Sequence, residues 1–343
     1  MYMPDTMIRR LFPGSNTHAG FFGFFENLRS QASRCLILKG GPGVGKSTLM
    51  GAVGKYFEEK HQPVVYYHCS GDPDSLDAVF APEAGYLILD GTAPHIVDPI
   101  LPGAEDGILN LGICLNEREL TAHRAEISAI AGEIQGCYAR AYRYLSAAHT
   151  LRQDAAAIYD AAFSPASRRA LENELLSLLP GGPEGPVHHA FAQAITCQGV
   201  IQQVDSILEG PLCCLDLPWG FDADALLAPL VQGAKRSRLA MQLYHDPLDG
   251  EKLCHIRLGS RVFTTAVMMD APSFTPELDK DLLRRAAPRL AFDRAVYDLT
   301  LNQAIEALAE AKERHDQMER YYIDAMDYSR LTAIREEVME SLP

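Results

Sequence analysis

The residues with the plainest chemical purpose in this 343-residue chain run from Gly40 to Thr48, GGPGVGKST. They satisfy the spacing G-x-x-x-x-G-K-[ST], with Gly40, Gly45, Lys46 and Ser47 in the defining places. Glycines let a backbone curl closely round a polyphosphate and turn successive N–H groups inward. A helix that starts there adds the partial positive charge of its N-terminus. On this reading Gly40, Gly41, Pro42, Gly43, Val44, Gly45, Lys46, Ser47 and Thr48 form a nucleotide-binding loop. Lys46 reaches the β- and γ-phosphates, and the Ser47 hydroxyl ligates Mg²⁺. A partner for the metal is expected at the end of a neighbouring strand. YLILD, ending at Asp90, supplies four strand-compatible residues and then a carboxylate. Asp90 is therefore assigned to Mg²⁺ beside Ser47. Lys46, Asp90 and His95 make the candidate catalytic set, with His95 placed after DGTAP to orient water or sense the γ-phosphate.

Positioning these groups takes a strand, a glycine turn and a helix in that order. CLIL, starting at Cys35, reads as a buried parallel strand, and STLMGAVGKYFEEK after the loop reads as a helix. SGDPDSLD, ending at Asp77, follows the strand VVYY, and strand ends beside such a loop face the ligand crevice.

The chain is also a duplication, and repeats organise everything else. Phe12, Thr17 and Gly20 match Phe191, Thr196 and Gly199, 179 positions on. CLILKGGPGVG matches LCCLDLPWGFD, and Tyr67-His68 sits over Tyr244-His245, now 177 positions on. Ala93-Pro94 sits over Ala271-Pro272, and both halves close on Leu-Pro, at Pro180 and Pro343. Each half therefore reads as an α/β lobe with a parallel sheet followed by a long helical hairpin. The front lobe spans 1–181 with its hairpin at about 116–180. The rear lobe spans 182–343 with its hairpin at about 276–342. An apolar stripe at helical spacing runs from Leu120 through Ile127, Ile134 and Ala141 to Ala148. FSPASR breaks it, with Ser164 as N-cap and Pro165 at the first helical position, and GGPEGP links the lobes.

The repeat contains its own control. Lys46 maps to Ala223, Gly45 to Asp222 and Ser47 to Asp224, and aligning Ala-Pro sets Asp90 over Met268 and His95 over Ser273. The rear loop has lost the lysine and gained two carboxylates, so one working site is expected, in the front lobe. His68 and Asp72 persist as His245 and Asp249, which favours a structural role, whereas Asp77 maps to Cys254 and is distinctive to the front lobe.

Composition bounds the partners. Against 31 Lys and Arg stand 45 Asp and Glu, a formal net charge of −14, which disfavours nucleic acid and anionic membrane surfaces. No apolar run approaches the roughly 20 residues of a membrane span, and MYMPDTMIRRLFPG has no apolar core of a signal peptide. Eight scattered cysteines without C-x-x-C fit reduced thiols in a cytoplasmic protein and show no metal-ligand spacing.

The loop at Gly40–Thr48 resembles that of the P-loop NTPase superfamily. Over essentially the whole chain, RRLFPGSNTHAGF, ILKGGPGVGKSTLM, YYHCSGDPDSLDAV, LILDGTAPHIVDP and AYRYLSAA resemble a little-characterised bacterial family of tandem P-loop ATP-binding proteins. The resemblance implies ATP binding and hydrolysis. It also implies a second phosphate loop, from which LPWGFDADAL departs. The leading expectation is an ATP-binding, Mg²⁺-dependent NTPase. One alternative is a small-molecule or nucleotide kinase. The other is a non-hydrolysing module in which nucleotide controls a protein partner through the helical hairpins. No [NT]-K-x-D motif favours GTP, and Gly91 after Asp90 leaves the usual adjacent glutamate base missing. Arg236, Arg238 or Arg257 is expected to reach across as a finger.

Overall fold

A computed structural model describes residues 8–343; residues 1–7, and with them part of the stretch read for a signal peptide, lie outside it. The front lobe holds β1 (Ile8–Leu11), β2 (Gly14–Thr17), β3 (Gly20–Gly23), α1 (Phe25–Arg29), β4 (Arg34–Lys39), α2 (Lys46–Glu59), β5 (Val64–His68), β6 (Leu76–Ala81), β7 (Tyr86–Asp90) and β8 (Asp106–Asn110). Helices α3 (Glu117–Ala122), α4 (Arg124–Ala162) and α5 (Pro165–Ser177) follow. The rear lobe repeats the plan as β9 (Val187–Ala190), β10 (Gln193–Thr196), β11 (Gly199–Gln202), β12 (Leu212–Leu215), α6 (Asp224–Arg236), β13 (Met241–His245), β14 (Leu253–Leu258), β15 (Arg261–Thr264) and β16 (Ser273–Phe274). It closes with α7 (Lys280–Asp324) and α8 (Tyr328–Glu340).

Both lobes carry a six-stranded sheet of the same order, β1-β5-β6-β7-β4-β8 and β9-β13-β14-β15-β12-β16. The α/β class and the duplication stand, but the sheets are mixed rather than parallel. In the front lobe β5–β6 and β6–β7 are antiparallel, while β1–β5, β7–β4 and β4–β8 are parallel. The rear lobe repeats this pattern. The physical reason is connection length. Residues 69–75 and 82–85 are too few for a crossover, which needs about a dozen residues, so the chain turns back on itself. Helix α2 lays Leu49, Met50, Val53 and Phe57 on one sheet face against Leu38, Val79 and Ile88, all fully buried.

The lobes meet about a pseudo-twofold axis. Phe12 and its repeat mate Phe191 exchange both backbone hydrogen bonds at 2.9 Å, as a self-complementary contact requires. Around them Phe22, Phe24, Ala194 and Ile201 form an apolar cluster.

The helices do not pair within each half. Helix α4 packs along α7 of the other half, burying Ala141, Leu145 and Ala148 against Ala304, Ala307 and Leu308. The ion pairs Glu133–Arg314, Arg140–Glu310 and Asp154–Arg289 run in opposite order along the two helices, so the pair is antiparallel. The short helices are exchanged as well. Leu171 and Leu175 of α5 enter the rear core with Leu226, Leu230 and Ile256. Val338 and Leu342, on and just beyond α8, enter the front core with Met50 and Val53. The expected Ser164 cap and Pro165 start of α5 are present. A hairpin was expected because Pro165 reverses the chain. The reversal instead delivers α5 to the neighbouring lobe, since the apolar stripe of α4 is covered by α7.

Candidate functional site

Strand β4 ends at Lys39 and α2 begins at Lys46, so the whole loop occupies the C-terminal end of a central parallel strand. Gly43 (φ +69°) and Gly45 (φ +82°) lie in the left-handed region, which side chains resist. Val44 is fully buried with Leu111, Cys114, Met326 and Leu331 and anchors the loop from beneath. Thr48 is exposed on the first turn of α2.

Lys46 Nζ donates to the carbonyls of Gly40 and Gly41, both at 2.8 Å, and lies 3.5 Å from Asp90 Oδ2. Asp90 reaches it because β7 runs parallel to β4, with Leu38 opposite Asp90. Its other oxygen accepts from Thr92 N at 2.9 Å and Thr92 Oγ1 at 2.5 Å. Ser47 Oγ accepts from Leu76 N at 3.1 Å. Lys46 and Asp90 are thus brought together, with Ser47 next to Lys46 on the first turn of α2.

His95 lies near both Asp90 and Lys46. It is buried against Phe25 (ring centroids 4.5 Å, 20°), with Nε2 3.7 Å from Asp77 Oδ1 and neither ring nitrogen hydrogen-bonded. Burial pushes its pKa down to about 4, with Asp90 opposing and Lys46 assisting. Burial, and then the nearby Asp90 carboxylate, push the Asp77 carboxyl up to about 7. His95 and Asp77 are thus a buried pair near Asp90 in which burial disfavours charge on both groups. Lys39 fastens their loop by donating to the carbonyls of Gly91 (2.7 Å) and Val97 (2.9 Å).

The sheet register corrects two repeat assignments. Ala78 pairs with Leu89, and its mate His255 pairs with Thr264, so Asp90 corresponds to Thr265 and not to Met268. The turn between β14 and β15 is two residues shorter (259–260 against 82–85). Ile37 faces Ile108 and its mate Cys214 faces Ser273, so Ser273 corresponds to Ile108, not His95. Residues 91–105, which carry His95, are a longer excursion than residues 265–272 of the rear lobe.

Two of the candidate arginines are engaged in the rear lobe: Arg257 is buried and donates to Ile207 O at 2.9 Å, and Arg238 pairs with Glu184 at 3.1 Å. Arg236 lies at the end of α6. The second half instead contributes α7. A Cβ added at Gly41 would lie 2.6 Å from the Tyr322 ring, and one at Gly43 would lie 2.8 Å from Glu319 Cγ and 3.0 Å from Ile323 Cγ1. Lys312 Nζ stands 3.4 Å from Asp72 Oδ2 and 2.5 Å from Asp316 Oδ1. Sequence reading missed these residues because they lie some 270 positions beyond the loop. Only the cross-lobe pairing of α4 and α7 brings them there.

Comparison with known proteins adds a local likeness. A family model described as Nephrocystin 3, N-terminal, matches residues 23–80, a span that contains β4, the glycine loop and α2. No curated protein and no solved structure matches the chain. Among the described residues, no helix is long and apolar enough to cross a membrane.

Proposed function

We propose that the chain is an ATP-binding, Mg²⁺-dependent NTPase with one working site, at Gly40–Thr48 of the front lobe. The observation that carries this reading is the Lys46 ammonium standing 3.5 Å from Asp90 Oδ2, at the end of a loop whose Gly43 and Gly45 are left-handed. With Ser47, those groups fit a phosphate–metal ligand: an ammonium, a hydroxyl and a carboxylate, with a helix N-terminus behind them. Ser47 and Asp90 would hold Mg²⁺, which would supply positive charge against the phosphate groups. Lys46 is already held by two loop carbonyls, so its ammonium needs little reorganisation to meet developing negative charge. The Asp77–His95 pair lies buried near Asp90. Eight unpaired cysteines support a reducing, cytoplasmic setting.

The test is turnover of ATP and GTP with Mg²⁺ in wild type and Lys46→Ala, with and without a panel of small-molecule acceptors. Loss of at least about 100-fold in turnover is expected for the variant. Unchanged turnover would move the reaction elsewhere. ADP formation that requires an acceptor would make the enzyme a kinase. A second reading, a nucleotide-controlled switch, is favoured by Tyr322, Glu319 and Ile323 of α7 lying against Gly41 and Gly43. Tight binding without turnover, together with nucleotide-dependent movement of α7, would select it.

A further inference from the structure

The pseudo-twofold brings together three side chains that are far apart in sequence and unrelated to the nucleotide reading. His18 lies in the turn between β2 and β3, His149 on α4, and Asp249 between β13 and β14 of the rear lobe. His18 Nε2 is 3.8 Å from Asp249 Oδ1, and His149 Nε2 is 3.9 Å from Asp249 Oδ2. The three ligand atoms all lie within 4.8 Å of one another.

These separations exceed hydrogen-bond reach. Neither imidazole makes a side-chain hydrogen bond to any described residue, although His149 is only 8% exposed. Asp249 is 7% exposed, and its one carboxylate hydrogen bond is a long one from Glu251 N, at 3.3 Å. A buried carboxylate and two buried or half-buried imidazoles thus face a common gap with their coordinating capacity unused, an arrangement that buried polar groups seldom keep without a partner. The rings stack at 3.8 Å and 6°, a contact that two imidazolium ions would oppose.

We infer that His18, His149 and Asp249 form a binding site for a first-row divalent metal ion, joining the front-lobe hairpin, α4 and the rear lobe. Two imidazoles and one carboxylate suit Zn²⁺, Co²⁺ or Ni²⁺ rather than Mg²⁺. Three protein ligands leave a coordination position, on the side where His149 borders a cavity lined by Arg152, Asp246 and Lys252. Binding tilts the two rings out of their stack so that both lone pairs converge.

The repeat supplies a variant that keeps the fold. Position 149 lies 163 before position 312, the same interval as Pro180 to Pro343, and Lys312 pairs with Asp72, the mate of Asp249. His149→Lys therefore installs the contact that the other half already uses. The experiment titrates Co²⁺, then Zn²⁺, into the chelator-treated full chain under reducing conditions. Expected is about one Co²⁺ per chain, with a ligand-field band, no thiolate charge-transfer band, and a Zn²⁺-dependent rise in Tm. His18→Gln, Asp249→Asn and His149→Lys each weaken binding by about tenfold or more. His315→Gln, in a second His–Asp–Glu cluster on α7, leaves binding unchanged. The inference is overturned by absence of the band, by a thiolate band, by binding that survives His18→Gln and His149→Lys, or by loss of binding with His315→Gln.

Discussion

The two loops of the duplication hold the same place in their sheets and differ in the groups that handle charge. In the front lobe Ser47 Oγ accepts from Leu76 N, and in the rear lobe the Asp224 carboxylate accepts from Leu253 N, 177 positions on in both cases. Gly45 of the front loop becomes Asp222, which is ion-paired with Lys252. Position 315 on α7 becomes 152 on α4, and there Arg152 grips Asp246 with two bonds of 2.8 Å. The front loop thus presents an ammonium held by its own carbonyls, while the rear loop is closed by the Asp222–Lys252 and Arg152–Asp246 ion pairs. One frame has been kept twice for its packing, while the lysine-bearing loop proposed to bind phosphate occurs once.

The comparison can be broken most sharply at the helix contacts. Arg152→Met leaves Asp246 four-fifths buried without its partner and should cost about 2–4 kcal/mol in urea unfolding. Lys312→Met removes a cation that is more exposed and should cost about 1 kcal/mol or less. Equal losses would show that the two helix ends are held alike.

Next in size are the glycines. Gly220 (φ +85°) would set a Cβ 2.6 Å from Ala155 Cβ, which cannot swing away, whereas at Gly43 the obstacle is the flexible Glu319. Gly220→Ala should lower stability by about 2–3 kcal/mol and Gly43→Ala by less, although Gly43→Ala should impair nucleotide binding more. A reversal in the thermal melts would contradict the packing just described.

The pH dependence separates the lobes by a smaller margin. Asp77, raised to about 7, keeps its proton in the folded chain after the unfolded chain has lost it. It therefore erodes stability as pH rises from about 4 to 7. His95, lowered to about 4, stays neutral while the unfolded chain is protonated, so its contribution grows over about pH 4 to 6.5. The two slopes oppose each other. Relative to wild type, Asp77→Asn should gain stability as pH rises through this window, by about 1–3 kcal/mol at pH 8. His95→Phe should lose relative stability over the same window. Parallel profiles for the two variants would show that the pair is not coupled to folding.

The smallest effects concern the caps of the exchanged helices. Ser164 accepts from Ser167 N at the start of α5, and Asp327 accepts from Arg330 N at the start of α8. Each change to Ala should cost about 1 kcal/mol. Only Asp327→Ala should also weaken nucleotide binding, because α8 places Leu331 beneath Val44 and beside Gly45.

Much of this molecule could be read in advance for local reasons. A glycine turn between a buried strand and a helix is specified within about 25 residues, and the loop from Gly40 to Thr48 with Asp90 beside Lys46 stands where that reasoning puts it. The Ser164–Pro165 helix start was equally legible. The antiparallel β6 was not, because Leu76–Ala81 is apolar enough for either direction and only the length of its connections selects one. The repeat mate of His95 was misassigned because matching Ala-Pro pairs ignored a longer excursion, which the register of β8 against β4 exposes. The partners of α4 and α5 depend on which apolar stripe covers which, and periodicity reports a stripe without naming its occupant.

The crossing-over of α5 and α8 bears on how the protein is made. Residues that line the front core beside Met50 and Val53 lie at Val338 and Leu342, the very end of the chain given. A ribosome that has finished the first sheet has not yet supplied the helix that seals it, so the glycine loop stays uncovered until the second half has been made. Severed at the linker around Gly182, the halves should remain soluble and ordered only when both are produced together.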